Sequence, residues 1–173
     1  MILYNKTILL PDLKALNELL LNNEDVSLQS CKCIYQNRIA IKHNYENDMN
    51  SIRIWKTKSL FDYWFDDFNT SSNNFIAALD FTVNETFVKI NYLNICDNIQ
   101  NLDEYESEDL VKSLINFIKN IAKNENKNKV IVDVHENFKI YEKYYYYEGF
   151  ESTNRRCHDN PFWIETEFIL SKN

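Results

Sequence analysis

Residues 129–150 read KVIVDVHENFKIYEKYYYYEGF, and the succession of residue types in that stretch decides how the rest of the chain is organised. Val130, Ile131, Val132 and Val134 form a near-continuous β-branched run, the pattern of a strand buried on both faces. Asn137 can cap the helix that follows by accepting from backbone N–H groups of its first turn, an interaction of about 1 kcal/mol. Gly149 suits the left-handed position that ends a helix, and Phe150 starts another extended segment. Tyr144 to Tyr147 are consecutive, so on a helix they point around more than one turn and cannot share one environment.

Upstream of this stretch, Leu110, Val111, Leu114, Ile115, Ile118, Ile121 and Ala122 recur at helical spacing and form one apolar stripe, closed by the polar turn Asn124 to Asn128. The loop Cys96 to Tyr105 precedes that helix. Before it, Phe75 to Val83 and Thr86 to Ile95 read as two strands of a hairpin joined at Asn84-Glu85. A helix between two β runs implies a crossover, so part of the sheet is expected to be parallel and covered on both faces. Downstream, Phe162, Ile164, Thr166 and Phe168 lie on one face of a last strand and Glu165 and Glu167 on the other.

The first seventy residues carry weaker signals. Pro11 and Asp12 open a helix with Leu13, Leu16, Leu19 and Leu20 on one side; Cys33 to Ile41 and Ser51 to Trp55 read as strands separated by the polar stretch His43 to Asn50. Leu60 to Phe68 forms a short aromatic helix. With 173 residues, 45% of them hydrophobic, and no repeat or flexible linker, the chain is expected to form one domain spanning 1–173. The fold class is α/β (α+β), a mixed sheet with helices on both faces.

Composition excludes several functions. The sequence has one glycine, whereas dinucleotide-binding and P-loop folds need several where backbone approaches phosphate. A net charge of −7 opposes nucleic-acid binding and favours a cationic substrate such as an amine. No run is apolar enough to span a membrane, and a soluble, cytoplasmic protein is expected. Cys31, Cys33, Cys96 and Cys157 are too few and scattered for a disulfide scaffold, and Cys31 and Cys33 with Cys157-His158 do not make a zinc knuckle, so no metal is expected.

Asn137, Tyr145, Gly149 and Phe150 have the spacing N-x7-Y-x3-G-F, directly after the buried strand. This resembles the strand-then-helix segment of the GNAT superfamily of N-acetyltransferases, and the order of elements extends the resemblance over residues 75–170, the acetyl-CoA-binding half. Residues 1–70 correspond to the family's variable, acceptor-binding part, where Trp55 and Leu60 to Phe68 either line the acceptor side or fill the core. The resemblance implies a partly splayed sheet and transfer of an acetyl group from acetyl-CoA, as co-substrate, to a primary amine on a small molecule or peptide by direct attack. Tyr145 falls where the family protonates the departing thiolate, a task suited to a phenol, whose ordinary pKa is about 10. The resemblance further assigns Asn137 to the pantetheine arm and the backbone of Tyr92, Leu93, Asn94 and Ile95 to pseudo-strand pairing with its amides.

Two features depart from the family's pattern. Its phosphate loop, R/Q-x-x-G-x-G/A, corresponds to Glu106, Asp109 and Val111, so the backbone of Asp109, Leu110 and Val111 must hold the pyrophosphate without glycine and beside carboxylates; at a shifted register Ser107 or Lys112 faces it. The strand Thr86 to Ile95 offers Lys89, Asn91 and Asn94 but no carboxylate base, leaving Asp80, Glu85 or a water chain. These departures define the alternative, a catalytically inactive GNAT-fold binding or interaction module.

Overall fold

The computed structural model describes residues 6–10, 18, 38–46, 48–57, 75–95, 104–136, 139–157 and 159–170. In chain order the elements are β1 (Lys6–Leu10), β2 (Arg38–Glu46), β3 (Met49–Thr57), β4 (Phe75–Val83), β5 (Phe87–Ile95), α1 (Glu104–Asn124), β6 (Lys129–His135), α2 (Lys139–Tyr147), β7 (Glu151–Cys157) and β8 (Asn160–Ile169). The strands form one eight-stranded sheet in the order β1-β2-β3-β4-β5-β6-β8-β7. Among the described residues its one parallel pair is β5 with β6, joined through α1, as the apolar stripe between two β runs implies. The mixed α/β sheet expected from the sequence is the one observed.

Val88, Ile90, Val130, Val132 and Val134 are all buried and alternate onto the sheet face that meets α1. Leu110, Leu114, Ile118 and Ile121 supply the helix side of this core, which Tyr145 of α2 and Phe150 complete. Ala78 and Ile131 point to the opposite face and are also buried. The expected aromatic helix Leu60 to Phe68 lies outside the described residues, as does the one from Pro11 apart from Glu18. No described helix is long and apolar enough to cross a membrane.

Three local readings change. The stretch His43 to Asn50 belongs mostly to β2 and β3, paired from Arg38↔Thr57 to Glu46↔Met49 around a turn that places Asp48 at φ 62; its polarity concealed an alternation of Ile39, Ile41, His43 and Tyr45. Lys6–Leu10, not anticipated as a strand, adds an outer antiparallel strand to β2. The hairpin turn is wider than two residues: Val83 pairs with Val88, and the Asn84 N–H donates to the Phe87 carbonyl at 2.8 Å.

With one glycine available, the chain places Asp48, Asn126 and Asn154 in the left-handed region, the residue types whose short polar side chains tolerate it best. Asn126 ends α1 in a Schellman arrangement: Lys127 N–H donates to the Ala122 carbonyl at 2.8 Å and Asn126 N–H to that of Lys123 at 3.1 Å.

Candidate active site

Pairing between β5 and β6 runs from Phe87↔Lys129 to Ile90↔Val132 and stops there. On the outer sides it continues, β4 with β5 as far as Ala77↔Ile95 and β6 with β8 as far as His135↔Trp163. The two central strands therefore part, each still held by its other neighbour. The cause is local: Asp80 pairs with Tyr92 and Phe81 with Ile90, so Asn91 is an extra residue in β5, and such a bulge bends and twists the strand that carries it. Beyond it, the β5–β6 ladder does not continue along Asn91 to Ile95.

A cleft of about 340 Å³ fills the gap, lined by Ile90 to Asn94, Val132 to His135, Tyr145 and Trp163. It passes through the sheet. Val132, Val134 and Tyr145 wall it on the helix side, while Asp133 and His135, by strand alternation, wall it on the other, with Trp163 registered against His135.

Tyr145 is 3% exposed, and its position is fixed by the end of α2. Gly149 has φ 83; its N–H donates to the Tyr146 carbonyl at 3.0 Å, and the Phe150 N–H donates to the Tyr145 carbonyl at 3.0 Å. These are the two bonds of a Schellman cap, in which the residue after the glycine packs on the residue five before it. Here that contact is aromatic, Tyr145 against Phe150 with ring centroids 5.3 Å apart and edge to face. The Y-x3-G-F spacing is thus a device for setting one tyrosine. Tyr146 and Tyr147 are exposed, and Tyr144 packs partly buried against the core.

The other sequence-designated residues divide. Tyr92, 45% exposed, and Asn94 lie along the opened edge; Leu93 packs against the core and Ile95 is buried in it, so only their main chain is available to a ligand. Asn137 lies outside the described residues. Asp109, Leu110 and Val111 require a correction: α1 begins at Glu104, so these three lie inside the helix, where backbone N–H groups bond to carbonyls four residues earlier. Leu110 and Val111 are buried in the core, and Asp109 pairs with Lys112 at 3.8 Å. The N–H groups left open at this helix start belong to Glu104, Tyr105, Glu106 and Ser107.

Neither carboxylate candidate for a base is placed to serve. Asp80 accepts from both Nη atoms of Arg53, at 2.5 and 3.1 Å. Glu85 sits in the hairpin turn, at the end of β5 away from the gap. His135 lines the cleft and was not singled out from sequence; it lies edge-on to Trp163 at 5.3 Å and stacks with Phe162 at 6.2 Å. Only the strand alternation that sends Val132 and Val134 to the core, and His135 away from it, could have pointed to it.

Asp133 is bridged to Lys89 at 2.6 Å. Nearby Cys157 is half-buried, and burial, followed by its hydrogen bond to Asp133, pushes its thiol up to about 11. A thiol so shifted stays protonated at neutral pH and is a poor nucleophile. Cys31, Cys33 and His158, which with Cys157 do not make a zinc knuckle, lie outside the described residues.

No protein-family model and no curated protein matches the sequence. Among solved structures, nourseothricin acetyltransferase aligns with a TM-score of 0.51 at 8% identity, over 71% of this chain and 66% of that one. The GNAT domain of PAT from S. lividans aligns at 0.47 and 12% identity, over 73% of this chain and 65% of that one. The PaiA N-acetyltransferase from Thermoplasma acidophilum, in complex with coenzyme A, aligns at 0.48 and 13% identity, over 71% and 62%. In each case the chain spans just under two thirds of the other's length. A sheet that splays at the one parallel pair among the described residues, beside a helix ended by Gly149-Phe150, together with the likeness to nourseothricin acetyltransferase, shows that the chain has the GNAT fold.

Proposed function

We propose that this protein is an N-acetyltransferase that holds acetyl-CoA in the gap between β5 and β6 and transfers its acetyl group directly to a primary amine. The observation that carries this reading is the cleft where β5 and β6 part, with β5 beyond Ile90 on one wall and Tyr145 on another. An open strand edge is the surface onto which an extended amide-bearing chain adds by β-type pairing, and the pantetheine arm of coenzyme A is such a chain. Asn91 to Ile95 would supply the main-chain groups, and the first turn of α1, Glu104 to Ser107, the N–H groups for the pyrophosphate. The coenzyme A bound to the Thermoplasma acidophilum enzyme supports acetyl-CoA as co-substrate.

In this scheme the neutral amine nitrogen attacks the thioester carbonyl carbon, the resulting tetrahedral oxyanion collapses, and the carbon–sulfur bond breaks. The departing thiolate takes the phenolic proton of Tyr145, and the ammonium formed on the acceptor loses a proton on the opposite side of the sheet. His135 is suited to accept it, being the imidazole on that wall. Cys157 takes no acyl group, since its thiol is held protonated.

One observation favours a second reading, a GNAT-fold protein that binds without catalysing. The open turn of α1 has no glycine and carries Glu104 and Glu106, with Glu108 and Asp109 close behind. Carboxylates stabilise a helix N-terminus as such but repel a diphosphate from it. Calorimetric titration with acetyl-CoA separates the two readings. Measurable binding with release of free coenzyme A on adding an amine is expected for the transferase; no heat at millimolar acetyl-CoA leaves only the binding module.

A further inference from the structure

We propose that the acceptor of this enzyme is an amine that also carries an anionic group, a carboxylate or phosphate, bound by Arg155 and Arg156 on β7, two strands out from β6. This rests on the transferase reading for the location of the amine, and the anion site itself is tested without the coenzyme.

A second, larger cleft of about 590 Å³ opens beside the one through the sheet, and the two share Asn91, Asp133 and Trp163. A molecule presenting its nitrogen in the gap would extend into this second space. Its walls change character outward from the gap. Next to the gap, on β6, stands Asp133, already neutralised by Lys89; on β8 comes Glu165, with Asp159 just before that strand; at the far edge, on β7, come Arg155 and Arg156. Neighbouring strands lie about 4.8 Å apart, so β7 is about 10 Å from β6.

The two arginines are adjacent, with side chains 75% and 57% exposed, on a chain whose net charge is −7. Neither is used up. Arg155 meets Glu165 only at 3.8 Å, through one nitrogen. Arg156 engages Glu136 at 3.3 Å and the Pro161 carbonyl, both through the same Nη1. Its remaining edge is the planar fork that binds carboxylate or phosphate with two parallel hydrogen bonds. Lys89, Arg155 and Arg156 balance Asp133, Asp159 and Glu165 along this cleft, so the overall acidity that favours a cationic substrate does not carry into it, and the free guanidinium edges are its outermost donors.

The test uses three probes of matched length: ε-aminocaproate, aminopentyl phosphate and hexylamine. Each is titrated into the uniformly labelled protein without coenzyme, following the Trp163 indole resonance, and the series is repeated with the variant R155Q/R156Q. The anionic amines are expected to bind roughly tenfold or more tightly than hexylamine, and the variant to bring all three within about twofold. Whichever anionic probe binds more tightly names the carboxylate or phosphate source. Equal binding of the three, no binding at all, or a preference that survives in R155Q/R156Q overturns the proposal. Failure of the transferase reading shows itself separately, as absent acetyl-CoA binding with the anion preference intact. Turnover of hexylamine as efficient as that of both anionic probes keeps the transferase and removes the anion site.

Discussion

The C-terminal end of α2 and the N-terminal end of α1 make opposite impressions. The first is governed by local rules throughout: Gly149 takes the left-handed position, its cap bonds close, and Phe150 packs on Tyr145. The second is helical from Glu104, acidic and without glycine, the reverse of what an anion needs from a helix start. The contrast separates two parts of the proposed coenzyme site. Setting Tyr145 depends on one cap and one aromatic contact, whereas gripping a diphosphate would depend on main-chain access and charge, and only the setting of the tyrosine is plainly built into this chain.

The sharpest way to break the contrast is at Tyr145. Tyr145→Phe keeps the ring contact with Phe150 and removes only the hydroxyl, so turnover is expected to fall by roughly 10- to 1,000-fold with little change in acetyl-CoA affinity. Unchanged turnover would take Tyr145 out of the mechanism. Next in size is Gly149→Ala. The added Cβ would meet Phe168 at 3.4 Å, an acceptable distance, so the penalty is that of φ 83, about 1–2 kcal/mol, visible as a lower melting temperature.

The α1 end is sharpened by removing charge. Glu104→Gln with Glu106→Gln, at the open turn, is expected to tighten acetyl-CoA binding by about three- to tenfold at low salt, with the gain shrinking as salt rises. An unchanged dissociation constant would place the pyrophosphate elsewhere. The smallest effect concerns Cys157. Cys157→Ser should leave turnover within about twofold, and alkylation of the native thiol should keep accelerating as pH rises toward 11 rather than levelling off near the ordinary 9.0, because its folded pKa is raised. Levelling near the ordinary value would free this thiol for nucleophilic chemistry.

What could be read from the sequence follows the same division. Strand β6, the stripe of α1 and the cap at Gly149 are encoded in contiguous residues, so periodicity and a single glycine disclosed them. The start of α1 was legible in principle, since acidic residues suit a first turn, but the polar run before Leu110 reads equally as a loop. The parting of β5 from β6 came from the family resemblance. Its local cause, the extra residue Asn91, appears only when β4 and β5 are registered against each other. His135, Trp163 and the arginines of β7 depend on registers between strands distant in sequence, β6 with β8 and β8 with β7. No single-strand pattern reveals which of their side chains converge.

Hydrogen–deuterium exchange of the backbone segment Asn91 to Ile95, measured with and without saturating acetyl-CoA, bears most directly on the opened strand edge as the coenzyme's seat. Amides facing β6 are expected to slow markedly on addition of the coenzyme, while those already bonded to β4 change little. Exchange that stays the same across this segment at a concentration where calorimetry records binding would mean that coenzyme A sits elsewhere and the gap in the sheet is not its site.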